Sequence, residues 1–165
     1  MTRLTLFALA ALAAAGLALA ACGGEDSAPA GDGAAGGSAG AGDTATADPL
    51  EGVTFEIAGV TGDAKSGKRI FRQCQACHTL EPGMNRVGPS LHGVIGREAG
   101  AVEGFRYSNA NANSHLMWSE EVLFEYLENP REYLPGTTMS FAGLKVAQQR
   151  ADVIAYIKAA GGDAE

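Results

Sequence analysis

Small and apolar residues recur at helical spacing in three parts of the chain after Asp63. The first pattern predicts a helix over 64–73, because apolar or small positions stand three and four residues apart and Asp63 can cap them. The second predicts a helix over 119–128, where a serine N-cap and two glutamates in the first turn precede the apolar positions and a proline follows. The third predicts a last helix over 146–160, ended by a glycine.

The residues before this helical region have a different pattern. Val53, Phe55 and Ile57 alternate with polar residues, which indicates a short extended segment that docks on the domain or on a partner. Residues 23–48 are mostly Gly, Ala, Ser, Thr and Asp, and they contain no aromatic or large aliphatic side chain. Such a segment buries too little apolar surface to offset its ordering entropy. We therefore predict a flexible linker over 22–61 and one folded domain over 62–165.

The charge is distributed unevenly along the chain. The formal net charge is −7, yet residues 1–61 hold only one basic side chain, Arg3, against seven acidic ones. Residues 62–165 hold the other eleven basic and twelve acidic side chains, so the predicted domain is nearly neutral. A nucleic-acid-binding domain would be net basic, and this class of function is excluded.

The first residues have the pattern of an export signal. Arg3 precedes an apolar run from Leu4 to Leu19, which is the layout of a signal peptide over 1–21. The sequence Leu19-Ala20-Ala21-Cys22 resembles the lipobox of bacterial lipoproteins, which predicts lipidation of Cys22 and anchoring on the periplasmic side of a bacterial membrane. An ordinary cleavage site that releases a soluble periplasmic protein and an uncleaved membrane-spanning helix are the two alternatives.

The candidate chemistry lies in Cys74-Gln75-Ala76-Cys77-His78, a C-x-x-C-H motif that is typical of covalent haem c attachment. Two intervening residues place both thiols on one side of a turn, and His78 follows as a ligand for the iron. A redox dithiol, a disulfide and half of a zinc site are the alternatives. The chain has three cysteines, and Cys22 lies far upstream, so a four-ligand zinc site lacks partners after Cys77. A single motif predicts one haem and one electron at a time.

A second axial ligand would decide between a carrier and an open haem site. Met139 is the candidate, because it is far from His78 in sequence and lies in a loop stiffened by proline. Met84 is too close to His78 to reach the opposite haem face, and Met117 has the character of a packing residue.

Several motifs are spread over the domain in a recognisable order. They are Gly67 with Phe71 and Tyr156, GPSLHG at 88–93, YLENP at 126–130 and PGTTM at 135–139. In these motifs the domain resembles class I cytochromes c, particularly the mitochondrial type and its alphaproteobacterial relatives. The resemblance implies an all-α cytochrome c fold, with three main helices and long loops around one covalently bound haem, and a contact between the first and last helices.

The resemblance also implies roles for individual residues. The Pro89 carbonyl would accept a hydrogen bond from His78, and Met139 would be the second ligand. The other cofactor-binding positions implied are Arg97, Tyr107 and Trp118 around the haem propionates, and Asn111, Tyr126 and Thr137 beside the methionine.

The function implied by the resemblance is one-electron transfer by a monomer that is not an enzyme. Quinol–cytochrome c reductase is the implied donor, and a terminal oxidase or a reaction centre is the implied acceptor. A haem sensor or peroxidase with an open sixth coordination position is the alternative. Lysines that surround the haem edge in mitochondrial members are replaced here at Gln73, Glu132 and Thr138. We therefore expect partner docking to depend more on apolar contacts such as Phe141.

Overall fold

The computed structural model describes residues 47–162, so the predicted signal peptide, Cys22 and the upstream part of the linker lie outside the described residues. Two strands and five helices follow in chain order: β1 Thr54–Ile57, β2 Val60–Asp63, α1 Ala64–Phe71, α2 Asn109–Ala112, α3 Glu120–Tyr126, α4 Pro130–Tyr133 and α5 Ala147–Gly161. Within 47–162, no helix is long and apolar enough to cross a membrane.

The alternating segment before the helices forms a β-hairpin. Strands β1 and β2 pair antiparallel, with Ile57 opposite Val60. Ala58 and Gly59, which connect the two strands, have φ angles of 49° and 78°. Two consecutive positive φ angles are typical of a type I′ turn, whose twist matches that of the flanking strands. Ile57, the last of the alternating apolar residues, is 0% exposed and belongs to the main hydrophobic core.

This hairpin is fastened to the last helix by polar contacts as well as by packing. The Asp63 backbone N–H donates to Asp152 Oδ1 at 2.9 Å, and Gln148 Nε2 donates to the Thr61 carbonyl at 2.8 Å. Gly62 lies so close to α5 that a Cβ there would overlap the Ala151 carbonyl. The packed unit therefore begins before residue 62, where the sequence analysis set the domain boundary, because the apolar face of β1 is buried against the helices.

Helices α1 and α5 cross in direct contact. A side chain at Gly67 would overlap the Asp152 carbonyl oxygen, so a glycine is required at this crossing. One turn further along α1, the rings of Phe71 and Tyr156 lie 5.1 Å apart between centroids. The predicted contact between first and last helices through these three residues is confirmed.

The three predicted helices are all present, with ends within two residues of the predicted ones. Asp63 Oδ1 accepts a hydrogen bond from the Ser66 backbone N–H at 2.6 Å, and Ser119 Oγ accepts one from Val122 at 3.2 Å, so both predicted N-caps are formed. The predicted all-α fold is confirmed in its main features. The structure adds two four-residue helices, α2 and α4, and the two-stranded sheet, which the sequence analysis did not assign as elements.

We expect the hairpin to stabilise the domain without affecting the haem site, because no hairpin residue lines the central cavity described below. Replacing the fully buried Ile57 by alanine should lower the free energy of unfolding by about 2–4 kcal/mol. Denaturant unfolding of the holoprotein measures this change. The matched control is Thr54→Ala, at an exposed position of the same strand. A loss below about 0.5 kcal/mol for Ile57→Ala would contradict the assignment of the hairpin to the core.

Candidate haem site

One deep cavity lies between α5, α3 and the loops that connect the helices. All residues predicted to bind the cofactor line it: Cys74, Cys77, His78, Pro89, Arg97, Tyr107, Asn111, Trp118, Tyr126, Thr137 and Met139. Its buried walls include Val153 and Ile157 of α5. Four of its lining residues are exposed, namely Gln73, Val87, Thr138 and Ser140, and we call these four residues the cavity mouth.

The C-x-x-C-H segment follows α1 as a tight turn. The Cys74 carbonyl accepts hydrogen bonds from the backbone N–H groups of Cys77, at 3.0 Å, and His78, at 2.8 Å. This turn brings both thiols to the same cavity wall, and neither forms a disulfide. Burial raises the pKa of the Cys74 thiol to about 11. A thiol that stays protonated at neutral pH is a poor redox nucleophile, so Cys74 is poorly suited to be the attacking thiol of a redox dithiol.

The orientation of His78 is fixed from two sides. Its Nδ1–H donates to the Pro89 carbonyl at 2.8 Å, so Nε2 is the nitrogen left without a proton and able to bind a metal. Gly88 packs against the imidazole so closely that a Cβ there would overlap the ring. Burial lowers the pKa of His78, more than the hydrogen bond to Pro89 raises it, which favours the neutral imidazole.

A second group of predicted residues forms a polar corner of the cavity. The Arg97 guanidinium donates to the His92 carbonyl at 2.6 Å and to the Ser90 carbonyl at 2.9 Å, which holds its charge at the cavity wall. The Trp118 backbone N–H donates to the Arg97 carbonyl at 2.9 Å. Tyr107 completes this corner, and burial raises the pKa of its phenol. Arg97 places a fixed cation at a cavity wall that Tyr107 and Trp118 also line, and such a charge suits an anionic group such as a carboxylate.

The third group surrounds the predicted methionine. Tyr126 Oη donates to Met139 Sδ at 3.7 Å, and Thr137 Oγ1 accepts from the Met139 backbone N–H at 3.3 Å. Burial raises the pKa of the Tyr126 phenol, so it is a hydrogen-bond donor across the physiological pH range. Asn111, on α2, is held at the cavity wall, and its Oδ1 is buried without a hydrogen-bond partner in the protein.

The sequence of the helical region matches a known family from end to end. Residues 64–161 match the family described as Cytochrome c. The chain belongs to the cytochrome c family. Its members carry electrons on one covalently bound haem c, attached through cysteines such as Cys74 and Cys77.

Individual relatives support the assignment. The chain is 55% identical over 98 residues to "Cytochrome c type-1" of Ascaris suum, across 59% of this chain and 88% of the relative. It is 53% identical over 97 residues to "Cytochrome c2" of Blastochloris viridis, across 58% of this chain and 76% of the relative. Among solved structures, cytochrome cH from Methylobacterium extorquens superposes with a TM-score of 0.57 at 40% identity, covering 59% of this chain and 99% of the other.

The cavity of this cytochrome c fits the haem that the family implies. Two free thiols and an unprotonated His78 Nε2 are the groups that covalent attachment and iron ligation require. The unpartnered Asn111 Oδ1 is a buried acceptor that the protein alone does not satisfy. Among residues 47–162, His, Cys, Asp and Glu form no cluster of three or more that could bind a metal ion by themselves, so the zinc alternative has no site there.

The three methionines of the described region differ in whether they line the cavity. Met139 lines the cavity, whereas Met84 and Met117 are 49% and 51% exposed and do not line it. The sequence analysis did not assign much of the apolar wall to the cavity, because single apolar residues in loops carry no periodic signal, and the period of a helix shows that a face is buried but not against what. The missed apolar wall residues are Leu91, Val94, Phe105, Leu123, Leu127 and Leu144, together with the α5 residues named above.

Proposed function

We propose that this cytochrome c is a one-electron carrier in which His78 and Met139 are the two axial ligands of the haem iron. The observation that carries the proposal is that both side chains line the same cavity, and that each is oriented by a hydrogen bond: His78 to the Pro89 carbonyl and Met139 Sδ from Tyr126 Oη. Methionine opposite histidine raises the reduction potential and closes the sixth position.

Haem c supplies the one-electron couple of its iron, and the protein residues keep the surroundings of that couple constant. His78 is held by Pro89 and Gly88, and Met139 by Tyr126 and Thr137, so little has to move when the charge changes. Arg97 holds a positive charge at the cavity wall where a propionate would need one. These roles require no substrate site, and we propose no enzymatic activity.

Met139→Ala tests the ligand assignment. The ferric wild-type protein should show the weak far-red band that reports methionine bound to iron, and the variant should lose it. The midpoint potential of the variant should fall by on the order of 0.1–0.3 V, because the axial ligand is a major determinant of haem potential. Met117→Ala, at a half-exposed position outside the cavity, is the matched control and should keep both properties.

The same spectra test the second candidate function, a haem sensor or peroxidase with an open sixth coordination position. If the wild-type ferric protein lacks the far-red band, or the ferrous protein binds carbon monoxide readily, the sixth position is open. A haem sensor or a peroxidase would then be the better assignment.

We further propose that a quinol–cytochrome c reductase is the electron donor and that a terminal oxidase or a photosynthetic reaction centre is the acceptor, with the cytochrome acting as a monomer. The four residues of the cavity mouth are uncharged, and Val87 is 80% exposed. The nearby Arg86 donates to the Gln75 carbonyl at 3.1 Å, and Arg131 donates to Ser140 Oγ at 3.3 Å. The mouth itself is uncharged, which predicts weaker electrostatic steering toward these partners than a lysine-lined edge would give.

The salt dependence of electron transfer tests this docking surface. Between about 20 and 200 mM salt, the second-order rate with the reductase should fall by less than about tenfold, because long-range attraction contributes little. Val87→Lys adds a positive charge at the mouth and should steepen the dependence. A steep fall for the wild type would show that charge, not apolar contact, guides the encounter.

Export and anchoring are proposed from the sequence alone. The lipobox-like sequence that ends at Cys22 supports lipidation of that cysteine, and the Gly- and Ala-rich composition after it supports a tether that keeps the domain near its membrane partners on the periplasmic side. A short flexible tether raises the effective concentration of the domain at those partners without any new contact.

Cys22→Ser should move the cytochrome from the membrane fraction to the soluble periplasmic fraction and abolish incorporation of labelled fatty acid. The matched control, Ser27→Ala, changes a side chain in the same segment and should leave the protein in the membrane. A variant that stays membrane-bound would support the uncleaved helix instead. A wild-type protein recovered in the soluble fraction would support ordinary cleavage.

A further inference from the structure

Arg150 of α5 is a charged side chain that none of the roles above employs. It is only 6% exposed. Its Nη1 donates to the Leu144 carbonyl at 2.8 Å and to the Lys145 carbonyl at 3.2 Å. Its Nη2 lies 3.1 Å from Glu128 Oε2, and its Cζ lies 4.4 Å from the centre of the Phe124 ring. The guanidinium therefore joins α5, α3 and the segment that precedes α5.

Burial of this guanidinium is costly and only partly compensated. A buried charge needs all its donors satisfied, yet Arg150 Nε is buried without a partner. The side chain of its carboxylate partner Glu128 is 54% exposed, so solvent weakens that attraction. Well-packed apolar residues often stabilise a core better than such a pair. Stability alone therefore does not account for a buried arginine at this position, and its contacts indicate another role.

The contacted carbonyls stand at the end of the loop that carries Met139. Leu144 lines the same cavity as Met139, and its backbone N–H donates to the Leu127 carbonyl at 2.7 Å. The preceding residue, Gly143, lies against the Glu128 carbonyl so closely that a Cβ would overlap it, and its φ of +88° favours glycine. This loop end thus packs against the end of α3, and Arg150 contacts both of them.

The other end of the loop is held independently of Arg150. The Thr137 backbone N–H donates to the Leu134 carbonyl at 3.0 Å, and Thr137 Oγ1 accepts from the Met139 backbone N–H at 3.3 Å. Met139 stands between these two ends. If one end is released, the loop gains conformations in which the methionine sulfur lies farther from its position beside Tyr126.

We propose that Arg150 is a positioning residue for Met139: by fixing the Leu144 and Lys145 carbonyls, it keeps the loop closed and sets the fraction of molecules in which the methionine is bound to iron. The proposal rests on the His78 and Met139 ligation proposed above. A purely stabilising residue would change global unfolding without changing this local equilibrium.

Imidazole binding to the ferric holoprotein measures the local equilibrium, because imidazole can occupy only molecules whose methionine has left the iron. The apparent dissociation constant is then the intrinsic one divided by the open fraction. The titration is followed by loss of the far-red band, and thermal unfolding is recorded in parallel. Arg150→Lys keeps the positive charge but lacks the planar fork that spans two carbonyls and a carboxylate.

We expect Arg150→Lys to bind imidazole about tenfold more tightly than the wild type, the change that corresponds to loss of one charge-assisted hydrogen bond. Gln149→Ala, at the exposed neighbouring position of α5, is the matched control and should bind imidazole as the wild type does. Glu128→Gln should give a smaller, few-fold increase, because it weakens the clamp without removing the contacts to the carbonyls.

Unchanged imidazole affinity in Arg150→Lys, with or without a lower melting temperature, would overturn the proposal and leave Arg150 a structural residue. If Arg150→Lys does not fold, Glu128→Gln decides, and wild-type affinity in that variant would overturn the proposal. Failure of the ligand assignment itself is distinguishable, because the wild-type protein would then lack the far-red band before any variant is made.

Discussion

The contact between α1 and α5 at Gly67 is the constraint on which the rest of this cytochrome c depends. The two helices lie so close that the Asp152 carbonyl occupies the space where a side chain at Gly67 would begin. This contact fixes the position of α1 relative to α5. The turn that begins after Phe71 then places both cysteines and His78 at the cavity wall. A bulkier residue at the crossing would displace the start of that turn and, with it, every group that attaches the cofactor.

Two opposite faces of helix α5 have different contacts, one with the hairpin and one with the cavity. Ala151 and Ala155 contact the hairpin near Gly62, whereas Val153 and Ile157 line the cavity. Residues two apart on a helix differ by about 200°, so these pairs lie on nearly opposite sides. The hairpin thus covers the side of α5 that faces away from the cofactor. The chain before α1 can be fastened to the domain without touching the cavity wall.

The polar groups of the cavity differ in how fully the protein itself satisfies them. Arg97 already donates to two carbonyls, so its charge is oriented before any ligand arrives. Asn111 Oδ1 has no partner within the protein, and the Tyr126 hydroxyl is directed at Met139 Sδ. Groups that are already oriented, such as Arg97 and Tyr126, reduce the reorganisation that accompanies a change of charge at the cofactor. A small reorganisation is what an electron carrier needs, because its cofactor changes charge at every transfer.

The sequence by itself determined the parts of this protein that depend on local chemistry. The C-x-x-C-H spacing, the caps at Asp63 and Ser119 and the period of the apolar residues in α5 act over a few residues, so they predicted the attachment turn and the three main helices. The tertiary structure decided what depends on distant segments. It placed Ile57 in the core and extended the packed unit into the predicted linker, and it gathered loop residues such as Leu91 and Val94 into the cavity wall. It also buried Arg150, which in the sequence is one charged residue of the last helix. These outcomes arise from contacts between residues far apart in the chain, and no local pattern encodes them.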